Sequence, residues 1–353
     1  MSENSRNFQY LDSLRALAAI GVIIIHVATP ALNMNFARHE GFWWIANLFD
    51  SAVRFAVPVF LMLSGATLIG KKYNYAEYLK RRFTRVLLPF LFWIVVYWIY
   101  RWIVLKPWQQ PHNFVDIIYW AGKLFVREGV SKHFWYVYMI LAIYFIVPVL
   151  SSIISKLNNN ILLIFLIVWV VLNFILRNYS MNLYGWTADA WSSKLAGWAL
   201  HSGYLVLGYY LSQLPIFHKT ERLYAMLVFI TSIASCAVLT YLFSRQAHKQ
   251  DLSMYGYLKL NTIIQSVSIF LMQKDKTVNN KITLWLQKEI SDFSYGIYLV
   301  HIIIIGVLYN LKFYKTFPNP LVSIPLIFSI TLLASYIIIL MLRKIPGGKY
   351  ISG

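Results

Sequence analysis

The stretch LDSLRALAAIGVIIIHV, residues 11–27, decides how the rest of the chain is read. It has the apolar character of a membrane-crossing helix, yet it carries Asp12, Arg15 and His26. Arg15 and His26 are eleven residues apart. That is about three turns at about 100° per residue, so both side chains lie on one helical face, roughly 16 Å apart along the axis. Asp12 falls on the same face. Carrying arginine and histidine into hydrocarbon costs about 2–3 kcal/mol or more, so such groups usually face a protein-lined cavity and serve chemistry or transport there. The duller alternative is a pair of snorkelling or hydrogen-bonded structural groups.

Composition settles the broad class. Of the 353 residues, 59% are hydrophobic and 13% charged, and the mean hydropathy is +0.58. Apolar runs recur from end to end, as in a polytopic membrane protein. The formal charge of +19 collects in short loops between those runs, the distribution of the positive-inside rule, so no nucleic-acid partner is expected. The single cysteine, Cys236, lies in an apolar run, which leaves neither a disulfide framework nor a cysteine metal site. Histidines and carboxylates do not cluster at metal-ligand spacing, and no metal is expected. Residues 1–9 lack the pattern of a cleavable signal, so the first span is expected to stay as an anchor.

Runs of about 20 apolar residues, enough to span a bilayer, fall near 11–29, 44–69, 87–105, 134–154, 160–176, 195–214, 223–243, 255–273, 291–311 and 320–342. The expected fold is all-α and polytopic, with about ten transmembrane helices. A single integral-membrane domain over residues 1–353 is expected, with no separate soluble domain. The loop KKYNYAEYLKRRFTR at 71–85 is the densest basic cluster and is assigned to the cytoplasm, which places both termini there as well. RKIPGGK at 343–349 and the loop holding Lys274, Lys276, Lys281 and Lys288 agree; SRQAHKQ at 244–250, on the outer side, fits less cleanly.

Orientation converts sequence position into depth. Arg15 lies near the cytoplasmic edge, while His26 lies past the middle, roughly 22 Å into an inward-to-outward helix at 1.5 Å per residue. Arg54, in the returning second span, reaches a similar depth and is a candidate catalytic partner of His26; Asp50 is also near the depth of His26, although an i, i+4 ion pair with Arg54 is its simpler explanation. Arg82 and Arg85 open the third span level with Arg15. Three arginines at one mouth suit a phosphate-bearing ligand, because guanidinium offers bidentate charged hydrogen bonds, or else they anchor lipid headgroups. Coenzyme A fits the first alternative. Its phosphates would bind Arg15, Arg82 and Arg85, and its pantetheine arm is of the order of the gap to His26. A neutral imidazole there can take a proton from a sugar hydroxyl or take the acyl group itself. Asp12 is too far below His26 to orient it and is assigned to positioning Arg15.

These residues resemble the acyltransferase-3 family of bacterial membrane O-acyltransferases. The matching pieces are LDSLRALAAIGVIIIH at 11–26, VPVFLMLSG at 57–65, RRFTRVLLP at 81–89, HFWYVYMILAIY at 133–144 and FSYGIYLVH at 293–301. The resemblance implies ten core helices in the bacterial cytoplasmic (inner) membrane and no tightly bound cofactor. It also implies acyl-CoA, acetyl-CoA first, as cytoplasmic co-substrate, and a cell-surface or lipid-linked glycan as acceptor. The family's helix-one arginine and histidine map onto Arg15 and His26, and its arginine pair onto Arg82 and Arg85. The size and the SAVRFAVPVF stretch at 51–60 look most like the stand-alone subgroup that acetylates enterobacterial common antigen. An SGNH hydrolase domain is not expected. HFWYV at 133–137 departs from the family's HLWFL-like run, which puts the role of His133 in doubt.

Further polar and aromatic residues are candidates for the acceptor side. His301 lines the same cavity or is a hydrogen-bonded core histidine. Tyr295 and Tyr298 offer hydroxyls to a sugar or join the abundant interfacial tyrosines. Trp135 and Tyr136, at the outer start of the fourth span, stack on a sugar ring or belong to the aromatic belt, the safer assignment. Ser64 and Gly65 read as a close-packing site rather than a nucleophile. Two function classes follow. One is a membrane acyltransferase; the other is a transporter of a glycan or lipid-linked precursor with His26 as proton relay, which paired broken helices would favour.

Overall fold

The computed structural model describes residues 3–36, 38–104, 116, 119, 130–183, 197–215, 218–274, 276 and 278–353. Among them the chain is helical and has no strand. The helices are α1 (Glu3–Asn35), α2 (Glu40–Ser51), α3 (Ala56–Leu68), α4 (Tyr75–Val104), α5 (Trp135–Ile154), α6 (Asn159–Leu183), α7 (Gly203–Gln213), α8 (Lys219–Gln246), α9 (Leu260–Gln273), α10 (Lys281–Asn310), the short α11 (Phe313–Thr316) and α12 (Pro320–Lys344). Short 3-10 turns occur at Lys132–Phe134, Ser253–Tyr255 and Gly348–Tyr350.

Among the described residues seven stretches are long and apolar enough to cross a membrane: Gln9–Asn35, Glu40–Leu68, Tyr75–Val104, Lys132–Ile154, Lys219–Gln246, Lys281–Asn310 and Pro320–Lys344. The protein is an all-α polytopic membrane protein. The remaining expected spans are also helical where they are described, but in shorter pieces. The apolar part of α6 is described over Asn159–Ile175, the helix before α7 breaks at Ser202, and α9 begins only at Leu260. Large apolar side chains remain exposed along the outer faces of α4, α6 and α8, among them Ile103, Ile164, Phe174, Leu227 and Leu242. Such faces are stable against lipid, not water.

Helix α1 is the axis of the bundle and packs against α2, α3, α10 and α12. It runs through Pro30 to Asn35, beyond the expected end of the first span. Pro30 has no N–H to give the His26 carbonyl, so the helix lacks that one hydrogen bond just after the histidine. Helices α3 and α7 touch backbone to backbone. A Cβ on Gly65 would meet the Leu205 carbonyl oxygen at 1.9 Å, and one on Gly208 would meet that of Met62 at 2.0 Å. Small residues permit this approach in a membrane, where apolar burial alone does not distinguish a helix from lipid.

The second span, expected as one continuous helix, is broken at Ala52–Phe55, and Arg54 sits in the break. Backbone groups freed within hydrocarbon must find partners inside the protein. Gln265 of α9 supplies them: its Oε1 accepts from the Phe55 N–H at 2.8 Å and its Nε2 donates to the Ser51 carbonyl at 2.9 Å. Arg54 pairs with the Asp50 carboxylate, donates to the Tyr255 carbonyl at 3.4 Å and lies 4.0 Å from the centre of the Tyr255 ring. The break in the second span therefore faces the turn that precedes α9, and the two close on each other.

Candidate active site

A cavity of about 310 Å³ opens between α1, α3, α4, α5 and α10. Arg15, Arg82 and Arg85, placed at one level by sequence, all line it. The Arg15 guanidinium donates to the Asp12 carboxylate at 3.3 Å and to the Ser291 hydroxyl at 3.0 Å, and Ser291 in turn donates to the same Asp12 oxygen at 2.7 Å. This triangle fixes the direction of Arg15. The pair with Asp12 by itself is partly solvated and worth little, so the direction matters more than the energy. Arg82 lies over the rings of Tyr78 and Tyr144, at 5.8 and 5.6 Å. One wall is closed by residues 351–353: Gly353 lines the cavity, its carbonyl accepts from Arg343 at 3.0 Å, and the Ile351 carbonyl accepts from the Trp93 indole at 3.0 Å.

The inner end of the cavity is formed by Val22, Tyr136 and Tyr298. Tyr136 and Tyr298 lie with ring centres 5.8 Å apart, and Tyr298 packs in turn on His133 at 5.2 Å and on His301 at 5.8 Å. Behind this wall three imidazoles meet. His26 is 5.2 Å from His301 and 6.3 Å from His133, and the latter two are 5.3 Å apart. His133 and His301 are buried, while His26 is half-buried. Among the described residues no group of three or more His, Cys, Asp or Glu side chains is arranged to hold a metal ion.

The structure thus gathers Arg15, Arg82, Arg85, Tyr295 and Tyr298 at one cavity, with Asp12 bonded to Arg15 beside it, and His26 with His301 just beyond it. It does not bring Arg54 to the cavity wall; that guanidinium is held by Asp50 and Tyr255. Trp135 stacks on Tyr257 at 5.6 Å, off the cavity. The assignment of Tyr136 to an outer aromatic belt is corrected. The turn Lys132–Phe134 and the start of α5 reach into the bundle, so Tyr136 becomes a cavity wall and His133 a core residue. Ser64 also lines the cavity, with its hydroxyl donating to the Phe60 carbonyl at 3.0 Å, and Gly65 makes the backbone contact with α7.

Ser291 and Gln265 escape the sequence reading, which leaves the role of His133 open. Ser291 leaves no mark of its own in the sequence, and its level shows only once α10 lies beside α1. Ser291 and His301 are ten residues apart on α10, nearly the Arg15 to His26 spacing on α1, and the two helices pack side by side with those pairs level.

Comparison with curated proteins finds no match, and comparison with solved structures finds none either. The family model described as an acyltransferase domain matches residues 8–340, and all five motifs that carried the resemblance lie within that range. The chain therefore belongs to the acyltransferase-3 family and is a membrane acyltransferase.

Proposed function

We propose that the protein transfers an acyl group, acetyl in the first instance, from acyl-CoA on the cytoplasmic side of a bacterial inner membrane to a hydroxyl of a cell-surface or lipid-linked glycan. The observation that supports this most is the cavity itself. Three guanidinium groups line it, and its far wall rests on the histidine cluster. Phosphates of the donor bind Arg15, Arg82 and Arg85 through charge-assisted hydrogen bonds. The thioester then extends toward Tyr136 and Tyr298, which must part for it to meet His26. The His26 imidazole takes the acceptor's hydroxyl proton as the oxygen attacks the thioester carbonyl. The carbon–sulfur bond breaks, and the imidazolium returns the proton to the departing thiolate. The carrier reading draws on the two facing helix breaks, but Gln265 and Arg54 tie those breaks to protein partners.

The test is acetyl-CoA binding and thiol release by the purified protein in nanodiscs. His26→Ala is expected to lower turnover by about 10²- to 10⁴-fold with binding retained. Arg82→Ala is expected to weaken binding by about 10-fold or more, the worth of a charged hydrogen bond. Absence of acetyl-CoA binding by the folded parent overturns the donor site.

A further inference from the structure

A general base is usually held in one tautomer and orientation by a carboxylate. Among the described residues none stands beside His26. Asp12 is tied to Arg15 and Ser291 near the cavity mouth, and Asp50 to Arg54. What stands beside His26 is His301, 5.2 Å away ring to ring and fully buried.

The hydrogen bonding of His301 determines what it offers. Its Nδ1 is 2.6 Å from the carbonyl oxygen of Tyr298. A carbonyl only accepts, so Nδ1 carries the proton, and in the neutral ring Nε2 is left with a lone pair. That Nε2 is buried and has no partner. A buried acceptor left empty is unfavourable, and in a native site it calls for an explanation. Two imidazoles flank His301 at nearly the same ring distance, His26 at 5.2 Å and His133 at 5.3 Å. His133 is already engaged by the Ser131 hydroxyl, whereas the His26 ring has no hydrogen bond to the described residues and is close enough for a change of side-chain torsion to join it to His301.

We propose that His301 is the positioning residue for His26: its Nε2 accepts the N–H of the His26 imidazole and so turns the other His26 nitrogen, as a free base, toward the reacting hydroxyl. The inference rests on the reading of His26 as the base. A neutral imidazole does this work without placing a second formal charge in the membrane, where an unpaired carboxylate would be costly. His133 supports the arrangement from behind. Its Nδ1 lies 2.8 Å from the Ser131 hydroxyl, and its backbone carbonyl accepts from the Tyr298 hydroxyl, which steadies the turn of α10 that presents the Tyr298 carbonyl to His301.

The experiment compares the parent, His26→Ala, His301→Leu and His301→Gln in nanodiscs, with acetyl-CoA as the probe and both thiol release and acetyl-CoA binding as readouts. Leucine fills the site without an acceptor; glutamine restores one but cannot carry a proton as imidazole does. His301→Leu is expected to lower kcat about 10- to 100-fold, with KM and binding of acetyl-CoA within about twofold, and His301→Gln to recover most of the loss. Equal activity of His301→Leu and the parent, with His26→Ala inactive, overturns the positioning role and leaves the proposed function standing. Equal loss in the leucine and glutamine variants also overturns it, because an acceptor would then not suffice. Full activity of His26→Ala, or no thiol release by the parent, overturns the proposed function and this inference with it.

Discussion

At the residue scale, the proposed donor site depends on how Arg15 is aimed. An isolated arginine loses side-chain entropy each time it binds a phosphate, and prior fixation removes part of that cost. Asp12 alone would hold it loosely, since the contact is 3.3 Å and partly solvated, whereas Ser291 bridges both groups. Ser291→Ala removes two hydrogen bonds of the triangle without touching any other cationic side chain of the cavity. It is expected to raise KM for acyl-CoA about 3- to 10-fold with kcat little changed, the effect of roughly 0.5–1.5 kcal/mol of hydrogen bonding. Steady-state kinetics checks this, and a loss confined to kcat would assign Ser291 to the chemistry instead. Asp12 and Arg15 were legible in the sequence as an i, i+3 pair. Ser291 was not, because a serine in an apolar helix carries no charge to mark its depth.

At the element scale, the two-part second span shows how tertiary structure overrides hydropathy. Residues 44–69 read as one apolar run, and nothing in their composition marks a break, since Arg54 is compatible with a continuous helix through its pair with Asp50. The break persists because Gln265, distant in sequence, satisfies one donor and one acceptor that an unbroken helix would have satisfied itself. Gln265 is almost fully buried, as are Ser51 and Phe55. Gln265→Leu leaves the Phe55 N–H and Ser51 C=O without that partner, each at about 1–3 kcal/mol. A clear fall in thermal stability in detergent is expected, larger than for Gln265→Glu, which keeps the acceptor. A leucine variant as stable as the parent would mean that the break is held by the Arg54 network alone.

At the scale of the whole molecule, the cavity and the orientation belong together, because a donor site is useful only on the side where its donor is found. Lys72, between α3 and α4, and Lys315, in α11, are both exposed and lie at opposite ends of the bundle under the assigned orientation. Cys236 is the only cysteine in the chain and is buried, so introduced thiols can be labelled against a low background. In sealed vesicles with the native orientation, a membrane-impermeant maleimide is expected to modify Lys315→Cys from outside and to spare Lys72→Cys. The reverse pattern would put the arginine-lined mouth on the outer side and remove acyl-CoA as its ligand. The sequence by itself determined the helical, membrane-spanning class, the levels of Arg15, Arg82 and Arg85, and the family. Hydropathy and charge are local quantities, read over a turn or a span. Only the tertiary structure decided that His133 and His301 stand beside His26, that Tyr136 is a cavity wall, and that the second span breaks at Arg54. Those contacts join residues far apart in the chain, and in a membrane the helices choose one another by close packing and buried polar partners rather than by apolar patterning.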